Sequence, residues 1–175
     1  MGVSETHPRR GRHRKAGITM FRKMRRIKQQ LTEEQCIEIL KNEPRGVLAV
    51  LGDEGYPYAV PLDFFYRDGR LYFHSAVEGH KVDALKACDK ASFCVIDKGE
   101  QEEGDWALWF NSVICFGRVR LVEDRDETEA IARDLGLKYY PTEREVEDEI
   151  KRDIHRVLCL ELTVEHMTGK RVHEK

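Results

Sequence analysis

Residues 55–86 read GYPYAVPLDFFYRDGRLYFHSAVEGHKVDALK, and the fold turns on how this stretch is divided. Tyr56 to Tyr66 and Arg70 to Ser75 are rich in aromatic and branched residues, and Arg67-Asp68-Gly69 between them is a hairpin signal. Two strands joined this tightly are antiparallel. Pro57 and Pro61 have no N–H to give to a ladder, so the first strand belongs at an edge or carries a bulge near Val60-Pro61-Leu62. Past Gly79 the pattern turns helical over residues 80–88, and that helix opens with His80 and Lys81. Positive charge is unfavourable there, because the macrodipole and the free N–H groups already make that end positive. A bound anion would reverse the penalty. The alternative is two solvated surface residues at a cost of a few tenths of a kcal/mol.

Working outward, Thr32-Glu33-Glu34-Gln35 is a capping box opening a helix with Cys36, Ile37 and Leu40 on its apolar side, stopped at Asn42-Glu43-Pro44. Val47 to Leu51 is a short apolar strand, followed by a hairpin loop at residues 52–55. Downstream, strands are expected over 91–96 and 112–123, with Gly117 inside the second marking a bulge or a close approach. Arg125 to Leu137 and Glu143 to Arg152 read as amphipathic helices. A last strand, Val157 to Val164, places Leu158, Leu160, Leu162 and Val164 on one face. Strands joined mostly by hairpins, with helices as insertions, predict a mainly β fold with peripheral helices: an antiparallel barrel in a single domain, residues 31–175.

Composition narrows the function. The 175 residues are 41% hydrophobic and 35% charged, enough for one core. No run approaches a membrane span. Charge is uneven: residues 1–30 hold ten Lys or Arg against Glu5, and the remainder holds 20 basic and 31 acidic residues. This basic arm lacks apolar periodicity and is expected to be disordered. With one aromatic, Phe21, and no recognition helix, it gives little support to nucleic-acid binding. Five scattered cysteines without a Cys-x-x-Cys pair suit free thiols in a reducing, cytoplasmic compartment. Metal-ligand spacing is absent, and a metal is not expected. No nucleophile elbow, phosphate-binding glycine loop or paired carboxylates appear.

Taken in order, residues 55–86, then SVICFGRVRLVED (residues 112–124) and LELTVEHMTGK (residues 160–170), resemble the pyridoxamine 5′-phosphate oxidase-like split-barrel flavoproteins, most closely the nitroimidazole-resistance (Nim) branch. The resemblance covers roughly residues 32–170. It implies a six-stranded antiparallel split β-barrel and a homodimer with FMN at the interface. Carried across, Val60, Pro61 and Leu62 would offer backbone atoms to the flavin ring. His74 and Ser75 would lie beside the ring or ribityl chain, and His80 and Lys81 would hold the phosphate. Ser112 and one or both of Trp106 and Trp109, packed near the ring, would come from the partner chain. The pyridoxamine oxidase proper carries an Arg-Lys pair where His80-Lys81 stands. Its C-terminal arginines find no match in KRVHEK (residues 170–175), which disfavours pyridoxamine phosphate as substrate.

Flavin supplies the redox step, and the protein places and tunes the ring. His74 is the candidate catalytic residue, as proton donor or substrate contact, against a strand histidine with no catalytic purpose. Two functions follow from the resemblance. One is an FMN-dependent oxidoreductase that reduces a small electrophile such as a nitroaromatic, with a nicotinamide nucleotide as possible electron donor. The other is a non-catalytic flavin- or haem-binding carrier or sensor.

Overall fold

The computed structural model describes residues 21–173. Its order is α1 (Glu33–Asn42), β1 (Arg45–Leu51), β2 (Pro57–Asp63), β3 (Phe65–Arg67), β4 (Arg70–Ala76), α2 (His80–Ala87), β5 (Lys90–Ile96), β6 (Glu100–Gln101), β7 (Leu108–Val122), α3 (Arg125–Tyr139), α4 (Glu143–Asp153) and β8 (Val157–His173). The strands form one antiparallel sheet in the order β2-β1-β5-β7-β8-β4-β3, with the two-residue β6 added to β7. The edge strands β2 and β3 are separated in the chain by Phe64 alone, so the two edges are covalently joined and the sheet curls into a half-barrel.

This corrects the six-stranded expectation. The run read as one strand from Tyr56 to Tyr66 divides at Phe64, because its first half pairs with β1 and its second with β4. Seven strands therefore lie along the sheet, as the Pro57–Pro61 half takes the edge position that its prolines require. The final strand is also longer than expected. It continues past Val164 to His173 alongside β7, with a register shift at Phe116/Gly117. At Gly117 a Cβ would lie 2.0 Å from the Thr163 carbonyl oxygen, so only glycine permits the approach.

Local signals place the other elements. Thr32 and Gln35 close the capping box: the Gln35 N–H donates to Thr32 Oγ1 at 3.3 Å, and the Thr32 N–H donates to Gln35 Oε1 at 2.9 Å. The β3–β4 turn uses positive φ at Asp68 (48°) and Gly69 (77°), the handedness favoured in two-residue hairpins. Inside the curl, Leu48, Phe64, Phe73, Phe93, Leu160 and Leu162 are fully buried. Phe93 meets Phe64 and Phe73 edge-on at 4.8 and 5.0 Å between centroids.

The other face of β4 and β8 is covered by helices. Phe65, Tyr72 and Cys159 pack with Ile131 and Leu135 of α3, and α4 adds Val146 and Ile150. Burial of Glu161 on this face is compensated by Arg120 at 2.9 Å and Arg70 at 3.5 Å. All five cysteines are free. Among the described residues no His/Cys/Asp/Glu cluster suits a metal, and no helix is long and apolar enough to cross a membrane.

The first 20 residues of the basic arm lie outside the described residues. From Phe21 onward the chain crosses the outside of β7 and β8. The Phe21 ring stacks on His166 at 4.5 Å, Gln30 bridges to Lys170, and the Leu31 N–H donates to the Gly169 carbonyl at 3.0 Å.

Candidate functional site

β2, the end of β4 and the start of α2 converge at one end of the half-barrel. Gly79, at φ 127°, turns the chain from the strand into α2 and leaves the helix without a side-chain cap. His80 follows and stacks on Tyr58 of β2, 4.2 Å between centroids, with its Nε2 3.5 Å from Asp53 Oδ2. These contacts tie the helix start to the edge strand. Lys81 is half-buried and forms no ion pair among the described residues. Burial pushes its ammonium below the usual lysine range. A cation that is partly desolvated, lacks a carboxylate and stands in the first turn of a helix is electrostatically incomplete. An anion would complete it.

β2 meets this corner along its length. Val60 and Leu62 pair across from Leu48 and Gly46, on the inward side, while Pro61 pairs with Val47 on the outward side. Among the described residues the outer edge of β2 has no strand partner, which leaves its backbone groups open to another molecule. On β4, neighbouring residues point oppositely. Ser75 is buried on the barrel side opposite Leu158, whereas His74 faces the helices opposite Cys159. The sequence placed them together; the strand sends them to different faces.

His74 lies at the mouth of a cleft of about 300 Å³ between β4 and the α3–α4 pair. His74 is an exposed residue whose imidazole is partly desolvated along the cleft wall; that desolvation lowers its pKa, Lys81 adds to the lowering, and Asp63 and Glu149 oppose it. The imidazole is thus biased toward neutrality. His74, Asp63 and Lys81 are electrostatic neighbours and link the cleft to the α2 corner.

The position of β2 depends on residues that the sequence did not reveal. Phe64 belongs to neither β2 nor β3 and is fully buried, so its backbone groups need other partners. The end of α3 supplies them. The Phe64 N–H donates to the Tyr139 hydroxyl oxygen at 2.9 Å, and Lys138 Nζ donates to the carbonyls of Phe64 at 3.0 Å and Glu43 at 2.7 Å. The Tyr139 hydroxyl also reaches the carbonyls of Phe64 and Pro44. The only sequence trace is Phe64-Phe65, where two adjacent large aromatics break the strand alternation.

The remaining predicted residues lie elsewhere. Trp109 stacks on His173, 3.6 Å between centroids, beneath the Arg171 guanidinium, and lines a separate groove with Asp97 and Asn111. Ser112 is on the outer sheet face, in register with Ile96 and Lys170 and on the same side as the exposed Ile114 and Phe116. Trp106 is 73% exposed. Within one chain, neither Ser112 nor Trp109 joins the α2 corner.

Solved structures with a similar fold include the following three. A proposed 5-nitroimidazole antibiotic resistance protein from Bacteroides thetaiotaomicron superposes with a TM-score of 0.68 at 24% identity, over 82% of this chain and 87% of its own. A FAD-binding protein from Mesorhizobium loti gives 0.60 at 22% identity, over 82% and 96%. A FAD- and haem-binding protein from Mycobacterium smegmatis gives 0.68 at 19% identity, over 84% and 74%. At these identities the likeness is one of fold. No curated protein matches the chain. The family model described as pyridoxamine 5′-phosphate oxidase matches residues 32–171, from the capping box of α1 almost to the end of β8, and the chain belongs to that family.

Proposed function

We propose that the corner formed by β2, the end of β4 and the N-terminus of α2 binds a flavin, FMN, with its phosphate on Lys81. The observation that carries this reading is Lys81 itself, half-buried in the first turn of α2 without an ion-pair partner among the described residues. A phosphate dianion there gains the helix N–H groups and a lysine charge together. His80 is oriented by Tyr58 and Asp53 and adds a second donor. The open edge of β2 at Val60, Pro61 and Leu62 lends backbone groups to the ring, and Ser75 a hydroxyl from the barrel side. Family membership and the flavin-binding names of similar proteins support the reading.

The protein then acts as an oxidoreductase on a small electrophile such as a nitroaromatic, with a nicotinamide nucleotide as electron donor. Bound flavin supplies the hydride step. His74 is the one histidine lining the adjoining cleft, beside the ion-paired carboxylates Asp63, Glu149 and Asp153, and is able to hold a substrate or move a proton at its imidazole. A second copy of the chain covers the outer sheet face, where Val47, Leu51, Ile96, Ile114 and Phe116 are 37–57% exposed. That homodimer brings Ser112, and with it Trp109, to the partner's flavin.

The absorbance spectrum of the purified protein is the test. Flavin bands that bleach anaerobically with a nicotinamide nucleotide and recover on adding a nitroimidazole support the oxidoreductase. The alternative, a flavin- or haem-binding carrier, draws on the name of the Mycobacterium smegmatis protein. A Soret band, or flavin that no donor reduces, would favour it.

A further inference from the structure

The cleft beside His74 is a built cavity rather than a packing gap. Its walls are Leu135 of α3, Val146 and Ile150 of α4, and Ile154 and Val157 beyond, with about 300 Å³ between them and His74 at the mouth. That volume is at the small end of ligand pockets, and such pockets are mainly apolar with a few placed polar groups. Helix α4 presents Val146 and Ile150, one turn apart, to the space and to α3. The two helices approach closely at Gly136, where a Cβ would lie 2.8 Å from Val146 Cγ1. The gap therefore opens toward β4, where His74 is.

Charge defines what the cavity accepts. Three carboxylates line it, and three arginines stand against them: Arg45 on Asp63 at 2.8 Å, Arg152 on both Glu149 and Asp153, and Arg156 on Asp153 at 3.7 Å. No lysine or arginine lines it. A cation would find no unpaired carboxylate there, and an anion would find no partner. Either would lose hydration without compensation. The Tyr139 and Tyr140 side chains also line it, but their hydroxyls are engaged by the Pro44 carbonyl and by Glu149, so His74, whose imidazole makes no hydrogen bond or ion pair among the described residues, is left as the polar contact.

We infer that the slot between β4 and the α3–α4 pair binds a small, uncharged, flat ring molecule, held between the apolar helix faces with a polar atom on His74. This rests on the flavin reading only for its purpose, since it places the electron acceptor next to the corner assigned to the cofactor. The slot itself is argued from its walls.

The test uses 2-methyl-5-nitroimidazole as a neutral probe, with benzoate and benzamidine as ring-bearing charged controls, added to the full chain with and without FMN. Methyl NMR should show shifts concentrated on Val146, Ile150, Ile154 and Val157, with both controls at least tenfold weaker. Ala132→Phe, which adds bulk from the α3 wall, should weaken the probe more than tenfold while FMN affinity is retained. His74→Leu should weaken it about tenfold, and His74→Gln less. Shifts that map elsewhere, charged rings that bind equally well, or His74→Leu without effect would each overturn the inference. Should Ala132→Phe fail to fold, the shift map of the unsubstituted protein still decides. If FMN binds and the probe does not, the slot is refuted and the flavin reading stands; the reverse result refutes only the flavin reading.

Discussion

Replacing Tyr139 by phenylalanine removes one oxygen and tests how the barrel is closed. Tyr139 has a single hydroxyl proton, so it cannot satisfy both carbonyls within its reach at once. Lys138 already donates to Phe64, which leaves the tyrosine proton for Pro44 and the tyrosine lone pairs for the Phe64 N–H. In the variant, the exposed Pro44 carbonyl recovers a bond to water, but the Phe64 N–H is in a fully buried residue. An orphaned buried donor costs about 1–3 kcal/mol. At roughly 2–4 °C per kcal/mol for a chain of this size, the Tm should fall by about 2–12 °C. Urea unfolding should shift its midpoint with little change in slope, because the exposed surface is unchanged. Tyr140→Phe is the control: the same chemistry one residue on, at an exposed position, should stay within about 0.5 kcal/mol. Alkaline titration adds a second arm. Burial raises the Tyr139 hydroxyl to about 12, above its value of about 10 in an unfolded chain. The stability from this group is therefore full below pH 10 and lost between pH 10 and 12. Tyr139→Phe should remove that loss. A variant indistinguishable from Tyr140→Phe by Tm and by alkaline profile would refute the account of the Phe64 junction.

Lys81→Ala should weaken FMN by about 1.5–3 kcal/mol, the worth of a charge-assisted hydrogen bond, while riboflavin, which lacks the phosphate, binds variant and parent alike; equal FMN affinities by fluorescence titration would place the phosphate elsewhere. Burial lowers Lys138 to about 8, so the folded protein releases this proton before the unfolded chain does at about 10.4, and stability should rise with pH across that window. Lys138→Met should abolish that rise, read as urea midpoints at pH 7 and 9.5. Gly117→Ala would drive a methyl to 2.0 Å from the Thr163 carbonyl oxygen and 2.9 Å from Leu162; overpacking of that severity should cost at least about 3 kcal/mol, and wild-type stability by calorimetry would contradict the register of β7 against β8.

Where a local rule acts alone, the chain is legible. The capping box of α1, the positive-φ hairpin at Asp68-Gly69, the edge position of the Pro57–Pro61 strand and the close approach at Gly117 each follow from residues a few positions apart. The continuation of β8 through Glu165 to His173 was not legible. Its side chains are mostly polar and its pairing comes from β7, some fifty residues earlier in the chain, so no alternation marks it. Trp109 was read as a partner for a ring, and the partner it finds within the chain is His173, brought opposite by that same unmarked strand.

The pair His74-Ser75 shows why site residues are harder to read than elements. Period-two alternation alone separates them, with Leu71, Phe73 and Ser75 on one face and Tyr72 and His74 on the other. The alternation is hidden because β4 is covered on both faces, by the barrel core inside and by α3 outside, so both sets contain buried aromatics. The helices that cover the second face are also what give His74 its cleft. Without α3 and α4 that face of β4 would lie open to water, and the exposed His74 would have no cleft beside it. With them it stands between an apolar slot and Lys81, which has no ion-pair partner among the described residues. The end of the same α3 carries Lys138 and Tyr139, which fix Phe64 and so the course of β2 beside the α2 corner. One inserted helix thus positions both halves of the candidate site. Loosening its C-terminus at Tyr139 should therefore disturb flavin affinity and slot binding together, whereas Lys81→Ala should disturb the flavin alone.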